Sequence, residues 1–280
     1  MRVDAPAKIN LALHVTGQRA DGYHLLDSLV AFARIADGDR LTVAFGDAPP
    51  RLTIDGPFAA DVPPGADNIV VRAATACGGI AAIHLHKGLP VASGIGGGSA
   101  DAAAVLRAAA STGSHTRAAL SAIALGLGAD VPVCLAGAAC RMSGIGEILT
   151  PVALPAMPAL LVNPRVPVET RAVFKRLARK DNPPLPPLPL FATTADVARW
   201  LAETRNDLEA PAIALAPAIA ETLDAVRGMA GCLFARMSGS GATVFALFSD
   251  AAARDAAAAR LAEAAPGWWV APAEILPSAG

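Results

Sequence analysis

The sequence contains few of the residues on which several common protein classes depend. Cysteine occurs four times, in apolar surroundings and without a C-x-x-C pair, which favours structural thiols over a disulfide framework or a metal site. The formal net charge is only −1 and no run of like charges occurs, so nucleic acid and membrane surfaces are not expected as partners. Lysine is scarce, with four residues against 19 arginines. A lysine inside a buried-looking strand is therefore of interest.

Long hydrophobic runs and a signal peptide are absent as well. No apolar stretch approaches the roughly 18 residues of a membrane-spanning helix, and the first residues, MRVDAPAKIN, lack the pattern of a secretory signal. The 280 residues, of which 54% are apolar, suffice for a sizeable core in one or two domains. We therefore predict a soluble cytoplasmic protein, either a monomer or a homodimer.

The most informative segment is a glycine-rich loop at residues 90–100, which reads PVASGIGGGSA. Glycine lets the backbone approach a ligand closely, and the alanine-rich residues 100–110 predict a helix that begins near Ser99. Backbone N–H groups at such a helix N-terminus bind phosphate, so we predict a polyphosphate site. A dinucleotide fingerprint would need glycine at position 99, and a Walker A loop would need a following lysine; neither is present. The alternative is an ordinary flexible turn.

Hydrophobic periodicity and turn residues outline an α+β pattern in two halves. Strands are predicted at 7–15, 29–35, 40–45, 51–55, 80–86, 232–236, 242–248 and 267–271, and helices at 67–79, 100–110, 115–126, 194–203, 215–227 and 250–263. The proline-rich residues 151–167 predict the boundary between a first domain, 1–150, and a second, 151–280, each with its own sheet. Residues 182–189, NPPLPPLP, predict an exposed loop.

Three further segments carry chemical signals that the residues alone leave open. Lys8, in the first predicted strand, is either a surface residue or a deliberately placed charge. Asp130 follows a turn and precedes apolar residues, so it is either a helix-cap or turn aspartate, or a catalytic carboxylate that needs a partner. Residues 236–244, RMSGSGATV, form either a hairpin turn or a second loop that helps to enclose phosphate or substrate.

Taken together, these segments resemble the GHMP kinases, the superfamily of galactokinase, homoserine kinase and mevalonate kinase. Residues 90–100 are similar to the family's phosphate loop, P-x-x-x-G-L-G-G-G-S-S, and residues 236–244 to its C-terminal glycine motif. PAKINLALHVTGQRADGYH at 6–24, GADVP at 128–132 and NDLE at 206–209 narrow the resemblance to members that phosphorylate a cytidine diphosphate compound. The departures are Ile95 for leucine, Ala92 and Ser93 for Gly-Ala, and Ala100 for the second serine. The last of these leaves Ser99 as the better candidate for a phosphate or metal contact.

The resemblance implies a two-domain α+β GHMP kinase fold with the active site in the interdomain cleft. It implies that Asp130 accepts the proton of the substrate's tertiary 2-hydroxyl as this attacks the γ-phosphorus of ATP. Lys8 would lie beside Asp130, keep it ionised and offset the charge that develops during transfer. ATP would be bound by the loop residues Pro90, Val91, Ala92, Ser93, Gly94, Ile95, Gly96, Gly97, Gly98, Ser99 and Ala100.

The implied substrate is a small cytidine diphosphate compound of the non-mevalonate isoprenoid pathway. Tyr23, which is the only tyrosine, and Phe174 would stack on the cytosine, and His24 would read its polar edge. Asn10 and Lys175 would add polar contacts to the substrate. Without the resemblance, Tyr23 and His24 would be interpreted as the half-buried flank of a hairpin.

Glutamate is absent from residues 1–146, so the Mg²⁺-binding glutamate that some family members take from this half has no counterpart. We expect no metal site in the protein itself, with Mg²⁺ carried mainly by the phosphates of ATP and by water. The alternatives are another small-molecule GHMP kinase, which would not keep the pair Tyr23 and His24, and a non-catalytic nucleotide-binding relative. The latter would lose Lys8 or Asp130, and both are present.

Overall fold

The chain folds into two units that are interleaved in sequence, and the computed structural model describes all of residues 1–280. The first unit comprises Met1–Ala7, Asp37–Val91 and Gly96–Gly137, and the second comprises Lys8–Ala36, Ala92–Ile95 and Ala138–Gly280. A boundary at 150–165 therefore does not separate them. Sheets and helices occur in both units, which confirms the α+β class.

Twelve strands and nine helices make up the regular structure. The strands are β1 (Arg2–Asp4), β2 (Ala7–Gln18), β3 (His24–Ile35), β4 (Arg40–Phe45), β5 (Arg51–Asp55), β6 (Ile80–His86), β7 (Cys140–Gly144), β8 (Ile148–Pro151), β9 (Met157–Asn163), β10 (Cys232–Met237), β11 (Val244–Phe248) and β12 (Trp269–Ile275). The helices are α1 (Ile69–Cys77), α2 (Gly97–Ala110), α3 (Arg117–Leu127), α4 (Val131–Ala136), α5 (Thr170–Lys175), α6 (Thr194–Ala202), α7 (Glu209–Leu215), α8 (Ala218–Arg227) and α9 (Ala251–Ala264), besides a 3₁₀ turn at Ala59–Asp61. No helix combines the length and the apolar character that crossing a membrane requires.

The first unit is a four-stranded sheet, in the order β1-β4-β6-β5, covered by helices α1 to α4. Only β5 and β6 run parallel. The strands β4, β5 and β6 have the bounds that alternation predicts, because apolar residues such as Leu41 and Val43 face the core and alternate with more exposed ones. Helix α2 follows the glycine loop, and nine of its 14 residues are buried against its neighbours. The loop therefore leads into a firmly packed helix.

The second unit contains an eight-stranded sheet in the order β10-β11-β9-β12-β3-β7-β8, with β2 paired to β3. Its pairs along this order are antiparallel. Helices α8 and α9 pack on the sheet over a core that includes Leu160, Val162, Ile219 and Phe248. The sheet takes strands from both sides of residue 151, so the expectation of a separate sheet in each half of the chain is wrong.

The proline-rich residues 151–167 contain a central strand of that sheet rather than a linker. Strand β9 lies between β11 and β12, and Leu160, Leu161 and Val162 are fully buried. Pro158 faces Glu274 of β12 but precedes the residues that pair with β11, so its missing N–H group interrupts no bond on that side. A continuous apolar run with a proline was therefore mistaken for a boundary.

Residues 182–189 form a loop without regular structure, as predicted, but side chains from elsewhere anchor it. The Asp27 carboxylate accepts the Leu185 N–H group (2.8 Å) and is paired with Arg141 through two bonds of 2.7 and 2.6 Å. The Trp200 Nε1–H group donates to Pro187 O (3.1 Å). Leu185 is buried, so the loop is only partly exposed.

Candidate active site

The phosphate loop, residues 90–100, ends in the first turn of α2. This helix begins at Gly97, two residues earlier than expected, after Gly96 adopts a left-handed φ of 64°. Gly96 is the N-cap and has no side chain that could accept a hydrogen bond, so the first N–H groups of α2 have no acceptor within the helix. Such donors at the positive end of a 14-residue helix are suited to phosphate.

The middle of the phosphate loop, Ala92–Ile95, is bonded through its carbonyl groups to other parts of the second unit. The bonds run from Lys8 N to Ile95 O (2.9 Å), from Thr243 N to Ser93 O (3.1 Å) and from Ser238 Oγ to Gly94 O (3.0 Å). Gly94 has a φ of 78°, and a Cβ there would lie 2.5 Å from Ser238 O and 2.7 Å from Gly241 O. Only glycine fits, because both the backbone conformation and the space exclude a side chain. Residues 236–244 are thus a structural partner of the phosphate loop.

The NDLE segment at 206–209 fixes the shape of the C-terminal glycine motif. Asn206 Nδ2 donates to Met237 O and to Gly239 O, each at 2.8 Å, and Asn206 Oδ1 accepts the Leu208 N–H group (3.0 Å). Glu209 accepts the Met237 N–H group (2.9 Å). The sequence showed this segment only as part of the family resemblance, because its partners lie about 30 residues further along the chain.

Arg236 is a buried cation that supports the same motif. Its guanidinium donates to Leu11 O (3.3 Å), to Leu201 O (3.1 Å), and to both the hydroxyl (2.9 Å) and the carbonyl (2.7 Å) of Thr204. Burial lowers its pKa to about 10, against the attraction of Glu209, so Arg236 stays charged at neutral pH. These bonds join β10 to β2 and to the end of α6.

Lys8 and Asp130, the predicted catalytic residues, belong to different units. Lys8 lies in β2 with an exposed fraction of 4%, so the alternative of a surface lysine is wrong. Burial raises the pKa of the Cys140 thiol to about 11, and the positive charge of Lys8 opposes this rise. Asp130 is half-buried at the N-cap position of α4, but its side chain makes no capping hydrogen bond. The structure therefore gives no side-chain cap at Asp130, although the residue does lie in the turn before α4.

The residues predicted to hold the cytosine lie at the start of β3 and in α5. His24 is the first residue of β3, and its ring stacks on that of Phe174 with a centroid distance of 4.7 Å and an interplanar angle of 27°. Burial, together with the charge of Lys180, lowers the pKa of His24, so the ring is neutral at neutral pH. Tyr23 is 60% exposed at the turn before β3, and Lys175 is exposed at the end of α5.

Asn10 lies in β2 next to the C-terminal glycine motif. Its N–H group donates to Ser238 Oγ (3.1 Å) and its Nδ2 to Ser28 Oγ (2.8 Å). Its Oδ1 atom is buried without a hydrogen-bond partner, as is Nε2 of His24. The third such side-chain atom in the chain is Oδ1 of Asp101. Two of the three unpartnered buried atoms thus belong to residues that the sequence assigned to the substrate.

Sequence reasoning missed a buried ionic cluster beside the phosphate loop, which we call the lysine cluster: Lys87, Asp39 and Asp101. Lys87 Nζ donates to Asp39 and to Asp101 Oδ2, the latter at 2.8 Å. The scarcity of lysine was a usable signal, since Lys87 is one of four lysines and directly follows β6, in which Ile80, Ile83 and Leu85 are buried. No group of three or more His, Cys, Asp or Glu side chains in the chain is arranged to hold a metal ion.

Comparison with known proteins identifies the family. The model of the GHMP kinases N terminal domain matches residues 68–138, and that of the GHMP kinases C terminal matches residues 190–267. The 4-diphosphocytidyl-2-C-methyl-D-erythritol kinase of Dinoroseobacter shibae is 59% identical and covers 96% of this chain and 92% of its own. The kinase of the same name from Cereibacter sphaeroides is 58% identical, with 97% and 98% covered.

Solved structures give the same result. A crystal structure of 4-(cytidine 5'-diphospho)-2C-methyl-D-erythritol kinase matches with a TM-score of 0.78 and 34% identity, over the full length of both chains. A homoserine kinase from Cytophaga hutchinsonii, with a TM-score of 0.67 and 19% identity over 99% of this chain and 94% of its own, shares the fold. The chain therefore belongs to the 4-diphosphocytidyl-2-C-methyl-D-erythritol kinases, a family built from the two GHMP kinase domains.

Proposed function

We propose that this chain transfers the γ-phosphoryl group of ATP to the 2-hydroxyl of 4-diphosphocytidyl-2-C-methyl-D-erythritol, a step of the non-mevalonate isoprenoid pathway. The relatives at 58–59% identity carry the name of that kinase. The structural observation that carries the proposal is the pair of unpartnered buried atoms, Asn10 Oδ1 and His24 Nε2. A buried polar atom without a partner costs about 1–3 kcal/mol, and a bound substrate would remove that cost.

The cytosine is recognised by His24, Tyr23 and Phe174. His24 is neutral, so one ring nitrogen donates and the other accepts, which suits the amino, ring-nitrogen and carbonyl edge of cytosine. Phe174 stacks on His24 and fixes the plane of its ring. The exposed ring of Tyr23 is available for stacking on the base, and a contact of Phe174 with the base is part of the same proposal. Asn10 and Lys175 contribute polar contacts to the substrate.

The phosphates of ATP are bound by the N–H groups of the phosphate loop, residues 90–100, and of the first turn of α2. Asp130 accepts the proton of the 2-hydroxyl while its oxygen forms a bond to the γ-phosphorus, and the bond between that phosphorus and ADP breaks. The cation of Lys8 offsets the negative charge that develops on the transferred group. A general base of this kind contributes about 10²–10⁴-fold to the rate.

Mg²⁺ would enter with ATP rather than occupy a prepared protein site. No carboxylate and histidine cluster fits a divalent cation, and Ser99, in the first turn of α2, is the hydroxyl that remains for a metal or phosphate contact. When bound, Mg²⁺ neutralises phosphate charge. No disulfide joins the four cysteines. We propose the reducing cytoplasm as the location, with ATP and the cytidine compound as partners.

An ADP-release assay coupled to NADH oxidation tests this function. We expect turnover with 4-diphosphocytidyl-2-C-methyl-D-erythritol and little with its uridine analogue, because uracil exchanges a donor for an acceptor on the edge that His24 reads. Equal use of the two compounds would leave a GHMP kinase of another specificity. ATP binding without any ADP release would instead indicate a non-catalytic nucleotide-binding relative.

A further inference from the structure

The lysine cluster has no part in the function proposed above, yet it is almost completely buried. The side chains of Lys87, Asp39 and Asp101 are 3%, 0% and 2% exposed. They come from three places in the first unit: Lys87 follows β6, Asp39 precedes β4, and Asp101 lies in α2. An ionic group of this kind is costly to bury and is often replaceable by apolar residues without loss of stability, so its presence calls for a reason other than stability.

One carboxylate of the cluster holds the start of the phosphate loop. Asp39 Oδ1 accepts the N–H groups of Gly88 (2.8 Å) and Leu89 (2.9 Å), the two residues directly before Pro90. The other oxygen of Asp39 is bonded to Lys87. The chain that enters the loop is therefore fixed by two charge-assisted hydrogen bonds.

The same cluster also supports the end of the loop. A Cβ on Gly97 would lie 3.1 Å from Lys87 Nζ and 3.3 Å from Asp39 Oδ2. The backbone of Gly97 is therefore packed closely against the ion pair of Lys87 and Asp39. Asp101 follows Ala100 directly and brings α2 to Lys87 through the 2.8 Å bond. Residues at both ends of the phosphate loop are therefore in contact with the lysine cluster.

We propose that Lys87, Asp39 and Asp101 are positioning residues for ATP: they hold the two ends of the phosphate loop at the separation that its phosphates require. This inference rests on the proposed function, because it takes residues 90–100 to bind ATP. The three residues touch neither substrate nor reacting atoms. They act through the N–H groups of the first turn of α2, whose place depends on Gly97.

The cluster also makes ATP binding sensitive to pH. Burial raises the pKa of Asp101 to about 7, against the attraction of Lys87 and with the repulsion of Asp39. Arg107, on the same helix, is bonded to the carbonyls of Cys134 and Asp4, and the arginines of the packed helices α1 and α3, Arg72 and Arg117, are exposed. Above its pKa, Asp101 is ionised and forms the 2.8 Å ion pair with Lys87 that holds α2, so ATP binding strengthens as pH rises through the titration of Asp101.

The first test compares Asp39→Asn with Asp27→Asn. The second substitution also neutralises a buried, ion-paired carboxylate, but its partner is Arg141 and it lies in the second unit. KM for ATP and for the cytidine substrate, kcat and Tm are measured for both variants. We expect Asp39→Asn to raise KM for ATP about tenfold or more with KM for the cytidine substrate within about twofold. We expect Asp27→Asn to lower Tm without that selective change. An unchanged KM for ATP, or an equal rise of both KM values, overturns the proposal.

The second test uses Asp101→Asn and does not depend on Asp39→Asn being able to fold. Binding of ATP alone is titrated calorimetrically between about pH 6 and about pH 8, across the titration of Asp101. We expect the Kd of the wild type to fall, relative to that of Asp101→Asn, as pH rises, because only the wild type gains the ion pair with Lys87. Identical slopes contradict the positioning role. Because no acceptor substrate is present, this result is independent of whether the ADP-release assay supports the proposed function.

Discussion

Asn10 and Asn206 are both buried asparagines of the second unit. They differ in how many of their side-chain hydrogen bonds the protein itself supplies. Asn206 uses its amide nitrogen and its oxygen on the backbone of Met237, Gly239 and Leu208. Asn10 donates to Ser28, while its oxygen has no partner. The same residue type is thus fully satisfied by the protein in one place and left incomplete in the other.

The difference extends to the surroundings of each asparagine. We call Asn206, Glu209 and Arg236 the support region, in which the chain itself supplies the partners, and Asn10 and His24 the open region, in which each residue keeps one unpartnered buried atom. Native proteins pair nearly all buried polar atoms, so exceptions call for an explanation. We therefore interpret the open region as a candidate ligand-binding region and the support region as residues that shape the fold.

The largest effect is expected at Asp130, which we propose as the general base. Asp130→Asn keeps the shape of the side chain but removes the base, so kcat should fall by about 10²–10⁴-fold. Tm should stay within about 2 °C of the wild type, because asparagine also keeps the hydrogen-bonding capacity of the side chain. Steady-state kinetics and thermal unfolding measure both quantities. Asp181→Asn, which removes an exposed charge paired with Arg179, is the control. Near-normal turnover of Asp130→Asn would show that Asp130 is not the general base and has a structural role instead.

The two asparagines allow the most direct test of the comparison. Asn206→Ala leaves two backbone carbonyls and one N–H group without their partner, so the free energy of unfolding should fall by about 2–4 kcal/mol. Asn10→Ala should cost about 1 kcal/mol or less and instead raise KM for the cytidine substrate. Urea unfolding and substrate titration provide the two readouts. If both variants lose equal stability and neither changes KM, Asn10 has the same structural role as Asn206, and the distinction between the support and open regions is wrong.

Tyr23 extends the comparison from hydrogen bonds to stacking. Removing an aromatic ring that stacks on a base costs about 1–3 kcal/mol, so Tyr23→Ala should weaken binding of the cytidine substrate about tenfold or more. Tyr23→Phe keeps the ring and should bind almost as the wild type does. Calorimetric titration measures both affinities, and ATP affinity should be unchanged in both variants. A loss for Tyr23→Phe as large as for Tyr23→Ala would assign the effect to the hydroxyl.

The smallest expected effect is the pH dependence of the open region. The pKa of His24 lies below its usual value of 6.5 because the ring is buried and Lys180 is nearby. The contribution of neutral His24 to stability and to cytosine binding is therefore present above 6.5 and is lost as pH falls below it. The Kd of the cytidine substrate should be constant from neutral to weakly alkaline pH and rise in acid. His24→Gln should bind more weakly but without this rise; a rise of equal size in His24→Gln would point to another group.

Local patterns predicted much of the fold, and residues far apart in sequence explain most of what they missed. The bounds of β4, β5 and β6 follow from alternation alone. Strand β9 was missed because a strand that is buried on both faces shows no alternation, and Pro158 looked like a break. The helix predicted at 215–227 begins at Ala218, and a separate helix, α7, precedes it.

In the candidate site, too, the sequence showed features formed by neighbouring residues and missed those formed by residues far apart in the chain. The phosphate loop was found because its glycines are adjacent in sequence, although Ala92 holds a left-handed φ of 51° where the family pattern has glycine. The lysine cluster was not found, because Lys87 and Asp39 are 48 residues apart and only the fold brings them together. The buried position of Lys8 also required the fold, since Lys8 lies on the more polar face of an alternating strand and that face is covered as well.

The interleaving of the two units has a consequence for the order in which the chain can acquire its structure on the ribosome. All segments of the first unit lie within residues 1–137, so this unit can form while the rest is still being synthesised. Strand β3, made early, pairs with β12, whose residues 269–275 are made more than 230 residues later. Until then β3 is an unfinished sheet edge, and such edges invite aggregation. The Ala92–Ile95 segment of the phosphate loop belongs to the second unit, so it gains its partners Ser238 and Thr243 only late in synthesis.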